Sequence, residues 1–305
     1  MLHRIGMNYK DIIKTRMTKR ELPLIGRLRK TIDVQRALDQ VTRLINENEE
    51  KIRNGLLEMD PSSTEHTYDL KNTKGEDFIK NYDEVYKRYS VIGFHELTDE
   101  AKALGSSMTK KVSDFTPVQR LKGMIDTASE YYHPYYDERN YTKPTSYNTG
   151  YIREFLDSFT SSSCRAAVVS LHPGRFITKH FDIGAEYITR LQIPLVTNPK
   201  AIIAVKTHGG WNEYHLPADG SVFFINAGVE HYAINAGDDV RYQIRVCLES
   251  QEDLADMEEY APVNFVSDEE FDAHPCSGNE LKYVNITKET LNEFNLEKSG
   301  KARLD

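Results

Sequence analysis

At 305 residues, with 39% apolar and 28% charged side chains, the chain is long enough to bury a sizeable core as one large domain or two smaller ones. No apolar run approaches the ~20 residues of a membrane-spanning helix, and a net charge of -8 argues against a general nucleic-acid binder. Three widely spaced cysteines, Cys164, Cys247 and Cys276, form neither a zinc pattern nor a disulfide framework, which points to a reducing, cytoplasmic setting.

Residues 1–30 carry nine Lys/Arg against two acids and lack the apolar middle of a secretory signal. From Thr31 to Leu57, Ile32, Leu38, Val41, Leu44, Ile45, Ile52 and Leu56 recur at helical intervals. Residues 58–82 are polar and turn-rich and read as a long loop or insertion. Thr116-Pro117 is a helix start signal, and Val118, Leu121, Met124, Ile125 and Ala128 trace one helical face behind it. The stretch 130–151 holds seven of the 18 tyrosines; it reads as a packed connection that can also wall a site.

From about residue 163 the pattern changes. RAAVVSL, AEYITRLQIPLV, AIIAVKT, WNEYHL, SVFFINA, HYAIN and VRYQIRVCL are short strand-like runs separated by turn residues, the mark of an all-β sandwich or barrel. Three regions follow: a mainly helical 1–162 packed on the core, a core of 163–250, and an extension of 251–305 with fourteen acids against five bases from residue 250 onward. Near the end, Lys288 to Phe294 has helical periodicity.

Within KHFDIG, His180 and Asp182 stand one residue apart, and in an extended chain residues i and i+2 share a face, with Phe181 turned away. His231, at the head of HYAIN, is the best third ligand. Two imidazoles and one carboxylate on one face leave positions open on an octahedral ion, as in non-haem Fe(II) oxygenases. Arg241 lies ten residues beyond His231, and its fork suits a dicarboxylate; Arg245 shares its strand face. His172 belongs to an HPG turn, His208 to a hairpin tip, and His215 ranks behind His231 as a ligand. Asn235 reads as a loop-holding residue.

HPGRFITKHFD, then RLQIPLVTNP, then FFINAGVEHYAINAGDDVR, resembles the aspartyl/asparaginyl β-hydroxylase family of Fe(II)/2-oxoglutarate dioxygenases, which includes proline cis-hydroxylases. The resemblance implies a double-stranded β-helix, or jelly-roll, core in an α+β protein. It implies that His180, Asp182 and His231 hold iron and that Arg241 binds the far carboxylate of 2-oxoglutarate, with Ser170 sharing it. Arg190 matches a basic residue near the co-substrate or the substrate carboxylate. Gln192 and Pro194 stand where family members often carry a second basic or imidazole residue. The implied reaction consumes O2 and hydroxylates an amino acid, free or in a peptide, giving succinate and CO2. Asp182 favours hydroxylation, since a halogenating relative lacks that carboxylate. The rival readings are a cupin-type metal-dependent isomerase or lyase, and a non-catalytic jelly-roll binding module.

Overall fold

The computed structural model describes residues 16–48, 90–110, 114–115, 119, 130, 132–277 and 283–284. In chain order these form β1 (Ile25–Thr31), α1 (Val34–Glu47), β2 (Ser90–Gly93), β3 (His95–Glu96), α2 (Asp99–Ser107), β4 (Lys143–Pro144) and α3 (Gly150–Asp157). Next come β5 (Ser163–Leu171), β6 (Arg175–His180), β7 (Thr189–Val196), β8 (Ala201–Thr207), β9 (Gly210–His215), β10 (Ser221–Ile225), β11 (His231–Asn235) and β12 (Arg241–Leu248). β13 (Glu258–Glu259), β14 (Asn264–Ser267), α4 (Asp268–Phe271) and β15 (Tyr283–Val284) complete the strands and α-helices among the described residues.

Two antiparallel sheets face each other. One is ordered β13-β1-β10-β7-β12-β5-β2 and the other β14-β9-β8-β11-β6-β15. From β5 to β12 every connection except the β8–β9 hairpin carries the chain from one sheet to the other, which winds it into a double-stranded β-helix. The first crossing is the His172-Pro173-Gly174-Arg175 turn: the Arg175 amide donates to the His172 carbonyl at 3.1 Å, and Gly174 has φ 72°. Proline at the second position and a positive-φ glycine at the third are what a type II turn demands.

Strand alternation gives the seven-stranded sheet two different faces. Tyr242, Ile244, Val246 and Leu248 of β12 pack toward Ala37, Val41 and Leu44 of α1 and Ile152, Phe155 and Leu156 of α3. Helix α1 begins where Asp33 accepts a hydrogen bond from the Arg36 amide. Its buried Gln40 accepts from the Ile152 amide at 3.1 Å and donates to the Thr149 carbonyl at 2.7 Å, so it takes the place of a side-chain cap on α3. On the other face, Phe223 and Ile225 of β10 meet Ile203 and Val205 of β8 and Tyr214 of β9 between the sheets. Each such side chain, fully buried, contributes ~1.5–3 kcal/mol.

The seven strand-like runs of the sequence correspond to β5 and β7 to β12. The helix expected from Thr31 starts at Val34, because Thr31 still pairs with Ser221 as the last residue of β1. Strands β1 and β2 join the seven-stranded sheet from outside the expected core, and from the acidic extension β13 joins that sheet and β14 the other. The expected loop at 58–82 and the expected helix at Lys288–Phe294 lie outside the described residues, as does most of the helix expected after Thr116. No helix among the described residues is long and apolar enough to cross a membrane.

Candidate metal centre

His180 ends β6 and His231 begins β11, and the two are register partners across adjacent antiparallel strands. Between this pair and the next, Ala233 with Ile177, β6 carries one residue more than β11. That bulge lets Ile177 and His180, which strict alternation would put on opposite faces, point the same way. Asp182 follows in the loop after β6, where its amide donates to the Ala227 carbonyl at 2.9 Å. The loop before β11 can approach this closely because Gly228 lies against Gly184: a Cβ on Gly228 would come within 2.7 Å of the Gly184 Cα.

The ligand atoms of His180, Asp182 and His231 all lie within 4.8 Å of one another. Asp182 Oδ2 is 3.9 Å from Nε2 of each histidine. His180 Nδ1 lies 2.8 Å from the Thr178 carbonyl and His231 Nδ1 3.0 Å from that of Val229. A carbonyl only accepts, so Nδ1 donates in both rings, and Nε2, on the side of Asp182, is the atom left to ligate a metal. Two fixed imidazole acceptors and a carboxylate form a donor set that fits a divalent ion such as Fe(II). Phe181, between the ligands, is 60% exposed.

Arg190, Gln192 and Arg245 occupy the inner face of the seven-stranded sheet. Register links Phe223 to Gln192, and Gln192 to Arg245, so Arg245 faces the second sheet, as do Gln243 and Arg241 at alternate positions of β12. Arg241 and Gln243 are buried. Both amide atoms of Gln243, and Oε1 of Gln192, are buried without a hydrogen-bond partner among the described residues.

Ser170 does not join this row. It pairs with Tyr242, whose ring packs toward the helices, whereas Arg241 pairs with Leu171 and Gln243 with Val169. Alternation puts the Ser170 hydroxyl on the face of the sheet opposite Arg241. Arg190 is engaged within the protein. Its Nη1 donates to the Ile183 carbonyl at 2.7 Å, its Nη2 donates to Glu138 Oε2 at 2.6 Å, and its Nε faces Asp182 Oδ2 at 3.8 Å. Burial opposes its charge, but Glu138 and Asp182 outweigh this and hold the guanidinium above its ordinary pKa.

Glu138 comes from the tyrosine-rich stretch, on a single 3-10 turn at Glu138–Asn140, and is buried. Its other oxygen pairs with Arg165, which sits at a bulge of β5 with φ 45°, a left-handed conformation uncommon outside glycine. Beside it, burial foremost and then the Glu138 charge push the Cys247 thiol up to about 12. The sequence reading missed Glu138 and Gln243. An acid amid YYDERNY was a signal for the first, and the shared parity of residues 241, 243 and 245 a signal for the second.

The remaining candidates stand apart from the centre. His208 is exposed in the β8–β9 turn, and His215 Nδ1 is 3.4 Å from the Ala201 carbonyl. Asn235 donates to the Leu171 and Asp239 carbonyls at 2.7 and 2.8 Å, which ties the β11–β12 turn to β5.

No curated protein matches the chain in sequence. Among solved structures, an oxidoreductase of the 2OG-Fe(II) oxygenase family from Burkholderia pseudomallei is 16% identical, with a TM-score of 0.26, over 32% of this chain and 50% of that one. A variant of Bacillus subtilis oxalate decarboxylase is 21% identical, with a TM-score of 0.24, over 39% of this chain and 27% of its own. A double-stranded beta-helix protein from Klebsiella pneumoniae is 18% identical, with a TM-score of 0.23, over 35% of this chain and 76% of its own. The chain thus spans about half the length of the first and about a quarter of the second. A model of the aspartyl/asparaginyl beta-hydroxylase family matches residues 94–249, more than half of the chain. The chain belongs to the aspartyl/asparaginyl beta-hydroxylase family.

Proposed function

We propose that this hydroxylase-type oxygenase depends on Fe(II) and 2-oxoglutarate and hydroxylates an amino acid, free or within a peptide. The observation that carries the reading is the donor set of His180, Asp182 and His231, with both Nε2 atoms 3.9 Å from one carboxylate oxygen. Ferrous iron held there would supply the redox chemistry in which O2 converts 2-oxoglutarate to succinate and CO2 while a substrate C–H becomes C–OH.

The chain's own residues bind and orient. Thr178 and Val229 fix the imidazole tautomers through their carbonyls. Arg241 pairs with the far carboxylate of 2-oxoglutarate inside the β-helix, where low dielectric strengthens a charge-assisted contact. Gln243, two residues from Arg241 on the same face of β12, shares the far carboxylate, and the polar atoms of Arg245 and Gln192 receive the rest of the co-substrate. The apolar layer of Phe223, Ile225, Ile203 and Val205 keeps water from that interior. The substrate enters past the exposed ring of Phe181. Three free, buried cysteines agree with a reducing, cytoplasmic setting. A non-oxidative cupin-type enzyme has no general need for a clamp at Arg241.

The test is optical. Anaerobic Fe(II) and 2-oxoglutarate added together give a weak visible charge-transfer band; folded protein without that band sinks the reading. Screening amino acids and a peptide pool for stimulated succinate release then identifies the substrate.

A further inference from the structure

We infer that Glu138 is a positioning residue for the metal centre: by holding Arg190, it keeps the ligating oxygen of Asp182 available to the ion. This rests on the metal reading of His180, Asp182 and His231. It does not require 2-oxoglutarate.

A guanidinium beside a carboxylate ordinarily closes on it through two parallel N–H···O bonds. Arg190 does not do this with Asp182. Its Nη2 is bonded to Glu138 and its Nη1 to the Ile183 carbonyl, so only the Nε edge faces Asp182, at 3.8 Å. That separation is too long for a hydrogen bond. Asp182 therefore feels the Arg190 charge without that guanidinium closing on it, and its Oδ2 lies 3.9 Å from both histidine Nε2 atoms.

Glu138 is suited to this task because it cannot drift. Arg165 holds its other oxygen, and the turn that carries it is fastened independently: Asp137 accepts from the Tyr187 hydroxyl at 2.8 Å and from Arg139 Nη2 at 2.8 Å. Asn140 Nδ2 donates to the Pro134 carbonyl at 2.8 Å. With the turn anchored by these other bonds, the Glu138 carboxylate is not needed as a loop anchor. Without Glu138, Arg190 is a buried cation whose nearest carboxylate is Asp182. It would swing onto that group, compete with the ion and draw the ligand out of line.

Partners of metal ligands typically change metal affinity about 10- to 100-fold when removed. The experiment uses the full chain and Co(II) as the probe, with affinity read by titration and ligand geometry by the Co(II) visible absorption. Four proteins are compared: wild type, Glu138→Gln, Arg190→Met and the double variant. Glu138→Gln is expected to weaken Co(II) binding about tenfold and to alter the Co(II) bands. In the Arg190→Met background the same substitution is expected to do neither, because the competing guanidinium is gone. Equal weakening in both backgrounds overturns the inference, as does unchanged Co(II) affinity accompanied by a lower melting temperature. Should Glu138→Gln fail to fold, Arg165→Met releases Glu138 from its second partner and is scored the same way. Wild-type protein that takes up no Co(II) overturns the metal reading itself, an outcome distinct from wild type binding and Glu138→Gln binding equally well.

Discussion

His180 and His231 face each other across β6 and β11 with ring centroids 4.2 Å apart, and each turns Nδ1 to the carbonyl two residues before it. The shared device fixes both rings with Nε2 on the side of one carboxylate, so metal should bind a largely preformed site. A divalent ion at ~100 times its Kd should then stabilise the protein by about 2.7 kcal/mol, and a chelator should reverse the gain. Asp182→Ala should abolish both the stabilisation and succinate formation. A full metal-dependent melting shift in that variant would falsify the assignment of Asp182.

Arg241→Ala should mainly raise the 2-oxoglutarate requirement. Losing a hydrogen-bonded charge contact of about 1.5–3 kcal/mol corresponds to roughly 10- to 100-fold in KM. Steady-state succinate release at several 2-oxoglutarate concentrations measures this. An unchanged requirement would move the clamp to Arg245, which shares the same face.

Gln243→Leu should have opposite effects on the empty and the loaded protein. Two buried amide atoms lacking hydrogen-bond partners disfavour the ligand-free fold, so a similar-sized apolar side chain should raise its stability by about 1–2 kcal/mol in urea unfolding. The same change should weaken 2-oxoglutarate binding but not that of oxalate, a chelator with no far carboxylate. Equal loss for both ligands would show a repacked core.

Stability should also depend on pH through His95. Burial lowers its pKa to about 4, and its Nδ1 accepts from the Ala166 amide at 3.2 Å. The unfolded chain, at ~6.5, binds the proton more readily, so stability is fully present above that pH. It falls as pH drops from about 6.5 toward 4. The loss should be on the order of 2–3 kcal/mol, read as the difference in denaturation midpoints between wild type and His95→Gln across that range. Parallel pH profiles for the two proteins would count against it.

Much of this architecture was legible in the sequence because it depends on local pattern. Alternation in VRYQIRVCL put Arg241 and Arg245 on one face, and turn residues marked the limits of the strands. What escaped depends on departures from alternation and on distant partners. Ser170 entered through the family resemblance, and its parity with Tyr242 rather than Arg241 is a matter of register with β12. The bulge in β6 cannot be read from RFITKH, because it exists only relative to the register of β11. Arg190 had a plausible free fork until Glu138, 52 residues earlier, claimed one end of it. The strand at Ile25–Thr31 carries alternating buried and exposed residues, but the basic charge around it hid the pattern.

The order of the seven-stranded sheet bears on how recognition can vary. Arg190, Gln192, Arg241, Gln243 and Arg245 lie on β7 and β12, with β10, β1 and β13 on one side and β5 and β2 on the other. Fraying at either edge leaves this floor intact, so its amides should exchange with solvent only when the whole fold opens, well after those of β2 or β13. This part of the sheet should thus exchange more slowly than its edges. Accommodation of different substrates should then fall to the loop around the exposed Phe181.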